Sequence, residues 1–186
     1  MRRPDQPWKP TKADLEKAKD KTVKDVARPG LNVLFVGINP GLYTAAIGHH
    51  FGRPGNRFWP ALRASGLLRE PLTPQESTRL LESGLGITNV VARATARADE
   101  LELGELRRGA RLLERKILRL KPRVAAFLGL GLYRDAFERP KAGVGLQRET
   151  IGSTLLWVLP NPSGLNAHFQ VPDYARMLRR IGKLLR

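Results

Sequence analysis

Residues 32–41 read Asn32-Val33-Leu34-Phe35-Val36-Gly37-Ile38-Asn39-Pro40-Gly41, an apolar run that passes directly into a turn bounded by glycine and proline. A run with no regular polar alternation is the pattern of a strand buried on both faces of a parallel sheet. Three more runs share this character: Ile87-Thr88-Asn89-Val90-Val91, Val124-Ala125-Ala126-Phe127-Leu128 and Leu155-Leu156-Trp157-Val158-Leu159. Helical patterns lie between and beyond them. Residues 58–68 place Leu62 and Leu67 on one side, with Gly66 near the end; residues 74–81 follow Thr73, a capping residue with Glu76 three positions on. Leu103–Leu120 carries Leu106, Ala110, Leu113, Ile117 and Leu120 at spacings of three and four, and residues 130–137 and 174–185 complete the set. Strands separated by helices require right-handed crossovers. The expected fold is therefore α/β, a three-layer α/β/α sandwich around a central four-stranded, mainly parallel sheet. Ligands in such folds bind beyond the carboxyl ends of the strands, which selects the loops after the first and fourth runs for inspection.

Composition narrows the chemistry. The 186 residues suffice for one substantial core. No apolar run approaches the roughly 18–20 residues that cross a bilayer, and Met1-Arg2-Arg3-Pro4 is not followed by the apolar stretch of a secretory signal. The expectation is an intracellular, cytoplasmic protein without membrane contact. Cysteine is absent, which removes disulfides, a thiol nucleophile, thiolate zinc sites and iron–sulfur clusters. The histidines are His49, His50 and His168, too few for an imidazole-rich site, so neither metal nor cofactor is expected. Thirty-three Lys and Arg against seventeen Asp and Glu give +16. An excess of this size points to a polyanionic partner, nucleic acid first, with a generally basic proteome as the bland alternative.

Residues 1–30 differ from the rest: lysines and aspartates alternate with few large apolar residues, Thr11 and Asp14 have capping spacing, and Pro29-Gly30 marks a turn. They read as a basic N-terminal arm or, equally, as a disordered tail, with 31–186 as a single domain.

The first loop offers Asn39, whose amide carries both an acceptor and donors. Taken alone, Asn-Pro-Gly is also an ordinary turn. The second loop, Pro160-Asn161-Pro162-Ser163-Gly164-Leu165-Asn166, is equally rigid and ends in an apolar tip at Leu165. In a basic protein, a polar pocket beside a protruding leucine fits base extraction with a wedge, although a loop-tip leucine is more often a packing contact.

Together these residues resemble a family. Residues 34–59 read LFVGINPGLYTAAIGHHFGRPGNRFW and residues 151–165 read IGSTLLWVLPNPSGL. The chain resembles the mismatch-specific uracil and thymine DNA glycosylases, the branch of the uracil-DNA glycosylase superfamily with a GINPG-type first motif and an NPSG-type second motif. The resemblance implies that Asn39 positions the hydrolytic water, that Phe51 stacks on the flipped base, and that backbone groups around Ile38 and Phe51 read its edge. Gly41 leaves room near the pyrimidine 5-position, and Asn161 forms part of the pocket wall. Ser163, Gly164, Leu165, Asn166, Ala167 and His168 belong to the wedge and its contacts with the DNA backbone; the arginine some relatives carry near Asn166-Ala167 is absent. Thr44 is close enough in sequence to Asn39 to order a water or meet a phosphate. The implied activity is a monofunctional, monomeric glycosylase of double-stranded DNA that hydrolyses uracil from G·U mismatches in base excision repair, with single-stranded DNA a second substrate. Neither motif contains a lysine for lyase chemistry.

An asparagine can aim a water but cannot take its proton at pH 7, which predicts a slow, permissive enzyme. Asp99, in the loop after the second run, has two readings: a cap for the 101–120 helix, or a carboxylate that helps Asn39 activate water. Arg53, Asn56 and Arg57 are phosphate contacts or helix-capping residues, His49 and His50 are read as exposed, and Tyr43 and Trp59 as packing residues. Two other functions remain. A non-catalytic lesion-binding module would leave no abasic site, and a nucleotide-phosphate enzyme would carry a Gly-x-Gly-x-x-Gly or Walker loop after the first strand, which is missing.

Overall fold

The structure, a computed structural model, describes residues 8–164 and 166–186. Five strands, β1 (Val33–Gly37), β2 (Leu85–Asn89), β3 (Val124–Leu128), β4 (Gly145–Ile151) and β5 (Thr154–Leu159), form one sheet in the order β2-β1-β3-β5-β4. β2, β1, β3 and β5 are parallel, in register through Val33↔Leu85, Val33↔Val124 and Val124↔Leu155. The four apolar runs are these four strands, shifted by one or two residues at their ends.

The fifth strand corrects the four-stranded expectation. β4 runs antiparallel to β5 across a tight turn at Gly152, whose φ of +58° suits glycine. Its sequence, Gly-Leu-Gln-Arg-Glu-Thr-Ile, lacks a continuous apolar run because it is an edge strand, largely exposed and irregular in register between Leu146 and Thr150.

The three layers follow from side-chain alternation along the buried strands. Val33 and Phe35 of β1, Ala126 of β3 and Trp157 of β5 pack under α3 (Phe58–Ser65), the 3-10 helix Pro74–Ser83 and α6 (Val171–Leu184). Leu34 and Val36, Ala125 and Phe127, and Leu156 and Val158 face the other way, onto α4 (Leu103–Leu120) and α5 (Leu130–Ala136). Thr73 and Glu76 form the expected capping box, but the segment they open is 3-10, interrupted at Glu76. The N-cap of α4 is Glu102, so Asp99 is not its cap. α2 (Leu42–Ile47), which opens straight from the first motif at Gly41, has no counterpart in the expected set.

Residues 8–30 lie against the body of the protein. α1 (Lys12–Glu16) carries the Thr11/Asp14 capping box, Ala18 is fully buried, and Val26 exchanges two backbone hydrogen bonds with Ile87 along the outer edge of β2. Lys116 of α4 donates to Asp25 at 2.5 Å and to Thr88 at 2.9 Å, tying this segment to β2 and α4. Among the described residues no helix is long and apolar enough to cross a membrane.

Candidate active site

β2 lies to one side of β1 and β3 to the other, so the chain leaves the first strand at the point where the sheet order reverses. The loops beyond the carboxyl ends diverge there and open a crevice. A cavity of about 450 Å³ occupies it, lined by the turn after β1, Asn89 and Thr95 from β2 and its loop, Leu128 from β3, and Asn161 to Ser163 after β5. Its size falls within the usual range of ligand pockets, ~300–1,000 Å³.

Asn39 is held in one orientation. Its Nδ2 donates to the Arg93 carbonyl at 3.0 Å and to Thr95 Oγ1 at 2.8 Å. The Thr95 hydroxyl hydrogen is already committed to the Arg97 carbonyl at 2.7 Å, so toward Asn39 this oxygen only accepts. Two acceptors therefore select the NH2 end of the amide and leave Oδ1 available to the cavity. Thr95, 1% exposed, is a site residue that the sequence reading missed.

Asn161 has the opposite polarity. Its Oδ1 accepts the Ser163 N–H at 3.0 Å, which leaves its NH2 group as the end available to the cavity. The Asn161 carbonyl is held by the Tyr174 hydroxyl of α6 and by Asn166 Nδ2 at 3.1 Å. Burial pushes the Tyr174 phenol up to about 12, so it stays a donor at neutral pH. One edge of the cavity thus offers an acceptor and another a donor.

Phe51 lines the same cavity with φ at +54°, a left-handed conformation that bulky residues seldom adopt. Its ring packs tilted against Phe58, centroids 4.4 Å apart, and its N–H has no acceptor among the described residues. Gly37 makes room for this arrangement, since a Cβ there would strike the Asn89 side chain and approach Phe51 to 3.3 Å. Asn89, the last residue of β2, is a second missed residue; its amide has no hydrogen-bond partner among the described residues. Gly41 needs no special backbone (φ −74°), and a Cβ there would meet nothing within 4 Å. Its value is space.

The remaining sequence candidates divide. Ile38, Thr44, Tyr43, Arg53 and Asn56 line the cavity, and Asn56 Oδ1 also caps α3 by accepting the Phe58 N–H at 2.9 Å. Arg57 donates to the Ser163 carbonyl at 2.7 Å, and Gly164 packs so closely that a Cβ would come 2.7 Å from the Gly55 carbonyl. Arg57 therefore clamps the second motif. Leu165 lies outside the described residues. Asn166 is turned inward, bonded to Asn161 and, through Oδ1, to the His168 N–H, while Ala167 and His168 are exposed. Asp99 stays on the surface, its carboxylate gripped by Arg97 at 3.0 and 2.5 Å, and is not part of the cavity lining; its neighbour Ala98 is.

His50 departs from the exposed reading. It is 2% exposed, donates from Nε2 to the Lys24 carbonyl at 3.0 Å, and its own carbonyl takes the Trp59 indole N–H at 2.9 Å. Burial lowers its pKa, outweighing the bond to Lys24, so it is neutral at pH 7 with its proton on Nε2. Trp59 is the packing residue expected.

A structure solved in solution by NMR, a candidate uracil DNA glycosylase from Methanosarcina acetivorans, superposes with a TM-score of 0.56 over 88% of this chain and 98% of that one at 17% identity, a likeness of fold. A family model described as the uracil DNA glycosylase superfamily matches residues 24–184, spanning both motifs and every strand. The chain belongs to the uracil DNA glycosylase superfamily, whose members are DNA glycosylases.

Proposed function

We propose that the protein is a monofunctional, mismatch-directed uracil-DNA glycosylase that flips uracil into the crevice beyond β1 and hydrolyses its N-glycosidic bond. The observation that carries this reading is the pair of oppositely oriented asparagines. Breaking the bond develops positive charge on the sugar and negative charge on the departing base. Asn39 Oδ1 accepts from a water and aims its lone pair at the anomeric carbon; the Asn161 NH2 donates to the base as it becomes an anion. The Phe51 N–H, without an acceptor among the described residues, and the Asn89 amide read the edge of the base, and the Phe51 ring stacks on its face.

No carboxylate lines the cavity among the described residues, and neutral His50 is committed to Lys24 through its proton. The water is therefore oriented without a general base, which forgoes a factor of about 10²–10⁴ and makes the enzyme slow. No lysine lines the cavity either, so no amine is placed to attack the sugar, and the product is an intact abasic site. Leu165 fills the vacated stack in this reading, and the +16 charge holds the duplex.

Release of uracil, thymine and 5-substituted uracils opposite guanine, opposite adenine and in single strands tests the reading. It predicts fastest excision of uracil opposite guanine and no strand cleavage without added alkali. Equal rates opposite adenine refute mismatch preference, and spontaneous strand cleavage refutes the hydrolytic mechanism.

A further inference from the structure

We propose that residues 8–26, most of which precede the family match at 24–184, are a working part of the active site: a strap that positions Asn39 and Phe51. The inference rests on the glycosylase reading for its kinetic consequence, but its geometry stands apart from it.

Asn39 is oriented by the Arg93 carbonyl and the Thr95 hydroxyl; the Thr95 N–H is tied to the Pro40 carbonyl at 3.2 Å, and Ala94 before it needs a hold of its own. The strap supplies it. The Asp20 N–H donates to the Ala94 carbonyl at 3.0 Å, and the Ala94 N–H donates back to the Lys21 carbonyl at 2.8 Å, so the residue between the two anchors of Asn39 is clamped on both sides of its backbone. The Arg93 side chain continues the clamp, reaching Asp20 at 3.3 Å and gripping Glu105 of α4 through two bonds at 2.6 and 2.8 Å. Three alanines make the close approach possible: Ala18 of the strap, Ala45 of α2 and Ala94 are buried together, where larger side chains would push the layers apart.

The same strap reaches the other half of the site. The Lys24 carbonyl accepts from buried His50, which precedes the strained Phe51, and Leu15 of α1 forms part of the cavity wall. Backbone groups of one short segment thus hold the water-positioning amide and the base-stacking ring. A positioning error of about 1 Å can cost about 10²-fold in rate, so this is leverage on catalysis.

Asp20 allows a test in the full-length protein, because its φ is +60° and its N–H is used. Asp20→Gly keeps the N–H and the left-handed backbone and loses only an exposed ion pair. Asp20→Pro removes the N–H and forces φ near −65°. The proposal predicts a single-turnover uracil release rate within about twofold of wild type for Asp20→Gly, and at least about tenfold lower for Asp20→Pro. Affinity for a duplex carrying a non-cleavable uracil analogue is expected to stay unchanged. Asp20→Pro is expected to cost nothing further in an Asn39→Ala background, because the Asp20–Ala94 end of the strap acts through Asn39, whereas the Lys24 end acts through His50 and Phe51. Ala18→Leu, which wedges the strap away from Ala45 and Ala94, repeats the test if the proline variant fails to fold. A readout that needs no activity is hydrogen exchange of the Asn39 side-chain amide by NMR, expected to quicken in Asp20→Pro and not in Asp20→Gly. Equal rates for the glycine and proline variants, equal losses in both backgrounds, or an unchanged Asn39 amide overturns the strap. Absence of uracil release by the wild-type protein overturns the glycosylase reading, and the amide exchange then decides the strap alone.

Discussion

Gly41 stands at the start of α2 with an ordinary backbone, so a side chain would fit without strain and would occupy the open space beside Asn39. In the glycosylase reading that space faces the pyrimidine 5-position. Gly41→Leu should therefore lower excision of 5-substituted uracils more than excision of uracil itself, by about 10-fold or more in relative kcat/KM, since a methyl-sized mismatch is worth about 1–3 kcal/mol. A panel of substituted bases in one duplex context checks this, and a uniform loss across the panel would show a folding effect. Gly37 is a glycine for the opposite reason, because Asn89 and Phe51 fill the place its side chain would take. That Asn39 and Asn161 line one cavity was legible in the sequence because each follows a buried strand inside a dense motif. Thr95 and Asn89 were not, for their roles depend on what the sheet brings beside them; Thr95 is far along the chain from the amide it holds. His50 misled for a related reason, since the carbonyl that takes its proton belongs to Lys24, in the strap.

The second-motif loop is held from two sides at the scale of elements. Arg57, at the start of α3, donates to the Ser163 carbonyl and reaches the Gly164 carbonyl at 3.4 Å, while Tyr174 of α6 holds the Asn161 carbonyl. Arg57→Ala removes the first of these and should speed proteolytic nicking around residues 163–168 while lowering uracil release by about tenfold, as expected when a positioned group is loosened. Unchanged nicking would contradict the clamp. The strands that carry the loops were readable because β1, β3 and most of β5 are buried on both faces, and burial writes a continuous apolar run. β4 was not readable, because a solvent-facing edge strand needs no such run. α2 escaped because six residues opening from a glycine give too little periodicity to separate from the turn before them.

Charge and burial set the behaviour of the whole molecule. Buried His50 has a pKa below its ordinary value of 6.5, so the unfolded chain binds a proton there more readily than the folded one. Its contribution to stability is complete above about pH 6.5 and is lost as pH falls from there toward the folded value. The urea midpoint of the wild-type protein should drop between pH 7.5 and 5.5. His50→Gln, which keeps a donor for Lys24 but does not titrate, should show a smaller drop; an equal drop would place the acid sensitivity elsewhere. The fold brings four loops to one edge of one sheet, and the reading of the whole protein turns on what Asn39 does there. The most direct measurement is single-turnover release of uracil from a G·U duplex, scored as alkali-labile abasic sites, for the wild type and Asn39→Ala. The account predicts abasic sites from the wild type and at least about 10²-fold fewer per unit time from Asn39→Ala at unchanged duplex affinity. Equal release by both proteins, or none by the wild type, would contradict it.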